Sequence, residues 1–488
     1  MPPRFPRVLA LFVCCFGVVA AEPAARVARP DPDAAQGVWE GWGTSLAWFA
    51  KVFGERDDVA DWLFTLRPEV DVSGHVVPGL GLTIARYNAG ACSWVEIDGR
   101  RMVVSKIIQP FRQIESFWLD GKNPDPESAS WDWTVDAKQR AALLKARDRG
   151  ANRFELFSNS PPWWMCVNDN PSGGPKGDVE NLRRDQREAF AHYLATIARR
   201  AKDHWGITFT TVAPFNEPSS SYWFADCKQE GSHFTPSSQA EILPFMRAAL
   251  DRQGLADMPL SASDETHYDH AVTSWQSYSP EVRGLVAQVN VHGYQGAAGR
   301  RADLHRMTVE EGGKRLWNSE YGDKDADGLG MARNLHRDFH RLKPAAWCYW
   351  QPLDGGNKGG WGLMDADLIA GKIGAPNPKL YVLAQYSRHI RPGMTILATG
   401  DERAVAAFAA SARRLVVVAC NDASAPAPFR IDLSAFAARD ARVSRWLTET
   451  SGQSRYLRLA DDAAPGGVFE TSLPPASVAT FQFEGVAR

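Results

Sequence analysis

The stretch TFTTVAPFNEP, residues 208–218, runs a β-prone segment into a proline with an acid, Glu217, directly before it. Thr, Phe and Val favour extended backbone, and proline has no N–H to give a sheet ladder, so a strand ends here. A carboxylate at such a point is either a solvated loop residue or a chemical group held on a rigid support. The same texture recurs along the chain. Short β-rich runs are VWEGWGTSLAW (38–48), GLTIARYN (81–88), NRFELFSNS (152–160), PLSASDET (259–266), VAQVNVHGY (286–294), KRLWNSEY (314–321) and AAWCYWQPL (345–353). Amphipathic segments such as 181–205 and 237–254, with apolar residues recurring at three and four, lie between them. With 208–217 the β-runs number eight, and eight strand–helix units predict a closed (β/α)8 TIM barrel.

Beyond about residue 395 the pattern changes to alternating strands separated by Pro, Asp, Ser and Gly, which predicts a small all-β sandwich over 396–488, with the barrel over 38–395. The connection from 89 to 135 is too long for a simple βα loop, and long loops on this face build or roof a site. At the N-terminus, Arg4 and Arg7 precede an apolar run from Val8 to Ala20 and the small-residue pattern Val19-Ala20-Ala21. That order reads as a secretory signal peptide over 1–21, so a secreted or periplasmic protein without a membrane anchor is expected, working as a monomer.

The chain has 488 residues, 44% of them hydrophobic, and a formal charge of -2. It can bury a large core, and it lacks the basic field that gathers nucleic acid. Eighteen Trp exceed what packing requires, and flat indole faces stack well on sugar rings. Cys14 and Cys15 leave with the signal. The remaining Cys92, Cys166, Cys227, Cys348 and Cys420 are odd in number and irregularly spaced, which is no zinc pattern and allows at most two disulfides.

Active sites of such barrels form at the C-terminal strand ends, and seven of the eight ends here are polar or aromatic. They offer Trp48, Arg86, Trp163 and Trp164, Asn216 and Glu217, His292 and Tyr294, Glu320, and Trp350. Glu217 and Glu320 end strands four and seven, on opposing staves. Two carboxylates flanking a cleft are what glycoside hydrolysis requires, one protonating the departing oxygen and the other attacking the anomeric carbon. Glu217 is expected to be the acid, its pKa raised by Glu320 and by partial burial, while Glu320 stays ionised if Arg86 reaches it. A non-catalytic glycan-binding cleft is the competing reading, but it gains nothing from burying two like charges together.

GWGTSLAWFA, ARYNAGACS, FELFSNSPPWWM, FNEP, NVHGYQ, LWNSEYG, YWQPLDG and HIRPGM, in that order over 38 to about 395, closely resemble the endo-β-1,6-galactanases of glycoside hydrolase family 30. The resemblance implies a barrel joined to a β-sandwich, a retaining mechanism with Glu217 as acid/base and Glu320 as nucleophile, and no metal or other cofactor. It further implies that Asn216 holds the sugar 2-hydroxyl, that Arg86 steadies the nucleophile, and that His292 and Tyr294 line the cleavage subsite. Residues 22–37 would lend a strand to the sandwich. Trp48 stands where glucosylceramidase-like members carry an acid, which disfavours glucosides and fits the galactanase branch. The substrate so implied is β-1,6-galactan, the side chains of arabinogalactan proteins. A β-1,6-glucanase or xylanase of the same family is the alternative.

Overall fold

The computed structural model describes residues 25–355, 359–438 and 440–488; the signal-peptide reading over 1–21 lies outside them. Eight parallel strands close into a barrel: β1 Gly41–Ser45, β2 Ile84–Asn88, β3 Arg153–Phe157, β4 Thr211–Ala213, β5 Leu260–Glu265, β6 Val286–His292, β7 Arg315–Tyr321 and β8 Ala346–Tyr349. Each lies inside one of the eight windows read from the sequence, and neighbours in sequence are neighbours in the barrel, with β8 closing on β1. The strands are shorter than the windows because proline and bulges end the ladder early. β4 stops at Ala213, before Pro214.

Helices cover the barrel's outside. Pro236–Arg252 starts where expected: Thr235 caps it by accepting a 3.2 Å hydrogen bond from the Ser238 amide, and proline follows at the first helical position. The segment expected to be helical from 181 begins only at Arg187, and runs to Arg200 before one wider turn over Ala201–Trp205.

The C-terminal region forms two antiparallel-rich sheets. One joins Arg26–Ala28, Ala427–Asp432 and Val468–Leu473. The larger one contains Ala35–Val38, Thr395–Leu397, Ala404–Ala409, Arg414–Asn421, Ser477–Glu484 and Ala441–Glu449. The N-terminal segment thus gives two strands, one to each sheet. The run LVVVAC is buried throughout because it is covered on both faces. Leu415, Val417 and Ala419 pack between the two sheets, whereas Val416, Val418 and Cys420 face the barrel's core. Period-two alternation therefore welds the sandwich to the barrel, each buried valine contributing roughly 1.5–3 kcal/mol. The five described cysteines are buried and unbridged. Among the described residues no helix is long and apolar enough to cross a membrane.

Inside the barrel the core is polar. Glu155, wholly buried on β3, accepts hydrogen bonds at Oε2 from Thr211 Oγ1 (2.7 Å), Asn290 Nδ2 (2.8 Å) and Ser261 Oγ (3.1 Å), and at Oε1 from Arg86 Nε (2.8 Å). This ring of donors satisfies a charge that would otherwise cost several kcal/mol, and it fixes Arg86 from below.

Candidate active site

Above that network the barrel opens into a cleft of about 860 Å³, lined by Trp48, Asn216, Glu217, Tyr294, Glu320 and Trp350 among others. Its geometry is set by irregularities in three strands. Beyond Pro214, Glu217 takes a left-handed backbone conformation with φ +50°, and its amide donates a 2.8 Å bond to the Asp264 carbonyl on β5. The acid is thus tied to a neighbouring strand as well as to its own. On the other side, pairing of β6 skips one residue on each neighbour. Asn290 and Val291 face Ser263 and Glu265 on β5, and Val291 and His292 face Asn318 and Glu320 on β7. The extra residues, Asp264 and Ser319, bulge the strands and re-aim the side chains that follow. Ser319 Oγ donates to Asp264 at 2.5 Å, and Glu320 turns towards the mouth.

One oxygen of Glu217, one of Glu320 and a ring nitrogen of His292 all lie within 4.8 Å of one another. Glu320 accepts from Tyr294 Oη at 2.8 Å and from Arg86 Nη1 at 3.3 Å. Glu217 accepts from Tyr222 Oη and, at 3.1 Å, from His292 Nδ1. His292 Nε2 sits 3.2 Å from Asp264 Oδ1, within ion-pair range though off the line of a hydrogen bond. Burial alone would lower the pKa of His292, but the charges of Glu320 and Asp264 outweigh it and lift it to about 10. An imidazolium donates from both ring nitrogens, and Nδ1 gives its proton to the bond with Glu217.

Arg86 also binds Asp264, so one guanidinium serves three carboxylates. Four acids (Glu155, Glu217, Asp264 and Glu320) face two cations, an excess of negative charge that favours a retained proton. From sequence, Glu320 is expected to stay ionised if Arg86 reaches it. Arg86 does reach Glu320, but burial pushes the Glu320 carboxyl up to about 7; Glu217 and Asp264 add to this, while His292 and Arg86 pull against it. With two carboxylates this close, the charge of one raises the cost of ionising the other.

Asn216 lines the cleft with its Oδ1 buried and unpartnered, an acceptor available to a sugar hydroxyl. Trp48 and Trp350 meet edge to face with centroids 5.0 Å apart and form an aromatic wall. Trp163 and Trp164, expected to stack on substrate, are instead part of the packing. The Trp163 indole is fully buried and donates to Ser93 Oγ at 2.7 Å, and Trp164 packs edge-on against Trp118 at 5.0 Å while donating to its carbonyl. Both brace the long loop after β2. Residues not singled out from sequence also enter the site: Asp264, Tyr222, Glu155, and Arg112 and Trp361 in the cleft wall. Asp264 had a visible signal, since SASDET ends a strand in acids just as FNE does. Arg112 and Trp361 had none beyond their place in loops of the site-bearing face.

A closed parallel barrel with two carboxylates close enough to share one sugar carbon is the framework of a glycoside hydrolase. The family model for O-Glycosyl hydrolase family 30 matches residues 28–274. The chain is 47% identical over 459 residues to an endo-β-1,6-galactanase of Hypocrea rufa, across 93% of this chain and 94% of that one. It belongs to glycoside hydrolase family 30. In fold it is similar to a conserved exported protein from Bacteroides fragilis, with a TM-score of 0.74 and 19% identity over 94% of this chain and 100% of the other. The catalytic domain of a family 30 xylanase C from Talaromyces cellulolyticus aligns with a TM-score of 0.68 and 20% identity, again over 94% and 100%.

Proposed function

We propose that this enzyme is an exported, retaining endo-β-1,6-galactanase acting on the galactan side chains of arabinogalactan proteins. The near-full-length identity with the Hypocrea rufa galactanase carries the substrate part, and the separation of the two carboxylates, within 4.8 Å, carries the mechanism. In the first step Glu320 attacks the anomeric carbon as the bond to the leaving oxygen breaks, and Glu217 gives that oxygen its proton. The proton must therefore sit on Glu217, while Arg86 and Tyr294 supply the donors, and the charge of His292 at 3.5 Å the field, that hold Glu320 as the anion. In the second step Glu217 takes a proton from water, the water oxygen bonds to the same carbon, and Glu320 leaves as carboxylate. Two inversions restore the β configuration. Asn216 Oδ1 accepts from the 2-hydroxyl.

In this reading residues 1–21 are removed on export, residues 38–395 form the catalytic unit, and 22–37 with 396–488 form the sandwich that braces it in a monomer. The deciding experiment incubates the protein with linear β-1,6-galactan, β-1,6-glucan and xylan, follows new reducing ends, and records the first-formed anomer by NMR. Internal cuts in galactan with a β product support the proposal. Faster cuts in glucan or xylan, or an α product, overturn it.

A further inference from the structure

Residues 323–328, Asp-Lys-Asp-Ala-Asp-Gly, start three positions beyond Glu320 and have the spacing that opens a calcium-binding loop. The backbone follows that spacing. The Asp325 amide donates to Asp323 Oδ1 at 3.1 Å, the Asp327 amide donates to Asp325 Oδ1 at 3.1 Å, and Gly328 turns the chain at φ +83°. The glutamate that closes such a loop at its twelfth position is replaced by Asn334. A side chain of the protein takes the cation's part instead. Lys379, wholly buried in the first turn of the helix Pro378–Ser387, brings its ammonium to Asp323 Oδ1 (2.6 Å), the Gly360 carbonyl (2.8 Å), the Asp323 carbonyl (2.9 Å) and Tyr349 Oη (3.2 Å). Local physics disfavours a lysine here, because a helix N-terminus repels a cation and burial strips its water. Burial pulls its pKa below the ordinary lysine value, and Asp323, Asp325 and Asp365 pull it back.

Each partner of the ammonium leads to a residue of the cleft. Asp323 Oδ2 accepts from Tyr321 Oη at 2.5 Å, and Tyr321 follows Glu320. Tyr349 precedes Trp350 and donates to the Trp361 carbonyl at 2.6 Å. Gly360 precedes Trp361, whose ring packs over Gly322 so closely that a Cβ there would lie 3.1 Å from it. Trp350, Trp361 and Glu320 all line the cleft. We propose that Lys379 is a positioning residue: its ammonium serves as the resident cation of the 323–328 loop, and by tying the ends of β7 and β8 to Trp361 it holds the aromatic wall of the cleft against the sugar chain. Glu320 keeps its own donors, Arg86 and Tyr294, so the tie governs the holding of substrate and spares the chemical step. Its effect on turnover rests on the galactanase reading above.

Lys379→Met keeps most of the side chain's length and removes its charge. On β-1,6-galactan the variant's KM should rise about tenfold while kcat stays within about threefold of the wild type. In the Trp361→Ala background the same substitution should add little to KM, because the residue it positions has gone. Full additivity of the two substitutions, or a fall in kcat at unchanged KM, overturns the proposal. If Lys379→Met does not fold, Tyr349→Phe removes only the hydroxyl shared by Lys379 and Trp361; a severalfold higher KM supports the tie, and an unchanged KM refutes it. Hydrogen exchange without substrate gives a readout independent of turnover. Amides of 321–330 and 359–366 should exchange faster in the variant while those of β2 to β4 keep their rates, and uniform acceleration refutes a local tie. Calcium chloride and EDTA should leave the wild-type unfolding temperature unchanged. A rise with calcium that EDTA reverses gives the loop a metal and overturns the ammonium's role. If galactan is not cut, the galactanase reading fails, and hydrogen exchange still decides the role of Lys379.

Discussion

Replacing Glu217 by glutamine separates the two duties of the carboxylate pair. Glu217 and Glu320 have oxygens within 4.8 Å. At an effective dielectric of about 20 a full charge at that distance, spread over two oxygens, raises the cost of ionising Glu320 by about 3 kcal/mol, or about 2 pH units. Glutamine keeps the shape and removes the charge, so Glu320 should titrate below its present value of about 7. On galactan the variant loses turnover, because no acid remains for the leaving oxygen. An aryl β-galactoside with a good leaving group needs no such acid, so the burst that reports formation of the glycosyl-enzyme should persist. Its rate rises with pH as Glu320 ionises and stays level above. The wild type on galactan behaves oppositely at the upper end: as rising pH removes the proton that Glu217 must give the leaving oxygen, the rate falls. Stopped-flow measurement of the burst from pH 4 to pH 9 (about), with azide added to release the trapped sugar as the β-azide, checks both statements. A burst that declines above pH 7 (about) in the glutamine variant, or no burst at any pH, refutes the assignment of roles.

Arg86→Met should leave Glu155, Asp264 and Glu320 buried without their shared cation; a loss of about 3–5 kcal/mol is expected and would be read from denaturant unfolding. Trp163→Ala should lower the unfolding temperature through a cavity costing about 3–5 kcal/mol while the folded fraction keeps its KM. Trp350→Ala should raise KM instead, and measuring both quantities in both variants separates packing from substrate contact. Asn216→Ala should reduce kcat/KM about a hundredfold, and a 2-deoxy substrate should show little further loss on that background, because the same hydrogen bond has already gone. Burial raises Glu230 and Asp136 to about 7, so the native state holds their protons more tightly than the unfolded chain does. Their stabilisation is complete below the ordinary carboxylate range and is lost as pH rises through about 7. The unfolding temperature should therefore fall between about pH 5 and 8, and Glu230→Gln should flatten part of that slope.

The local signals were enough for much of this protein. Residues 208–218 announce a strand that must stop at a proline, and the eight windows of that kind contain the eight barrel strands, because side-chain period and chain-breaking residues act over a few neighbours. The same logic put Glu217 and Glu320 at strand ends, and a parallel barrel gathers such ends on one face. Tertiary structure alone decided how the acids are used. The bulges at Asp264 and Ser319 exist only in the pairing with β6, and the tie from the Glu217 amide to Asp264 spans two strands. Glu155 reads in sequence as an ordinary strand charge and is the hub of the barrel's polar core only because four other strands aim donors at it. Trp163 and Trp164 look like sugar platforms in sequence, yet the loop after β2 folds over them and buries both. Ionisation state follows the same rule: a carboxyl's pKa reports every charge and every missing water around it, and those come from residues far away in the chain.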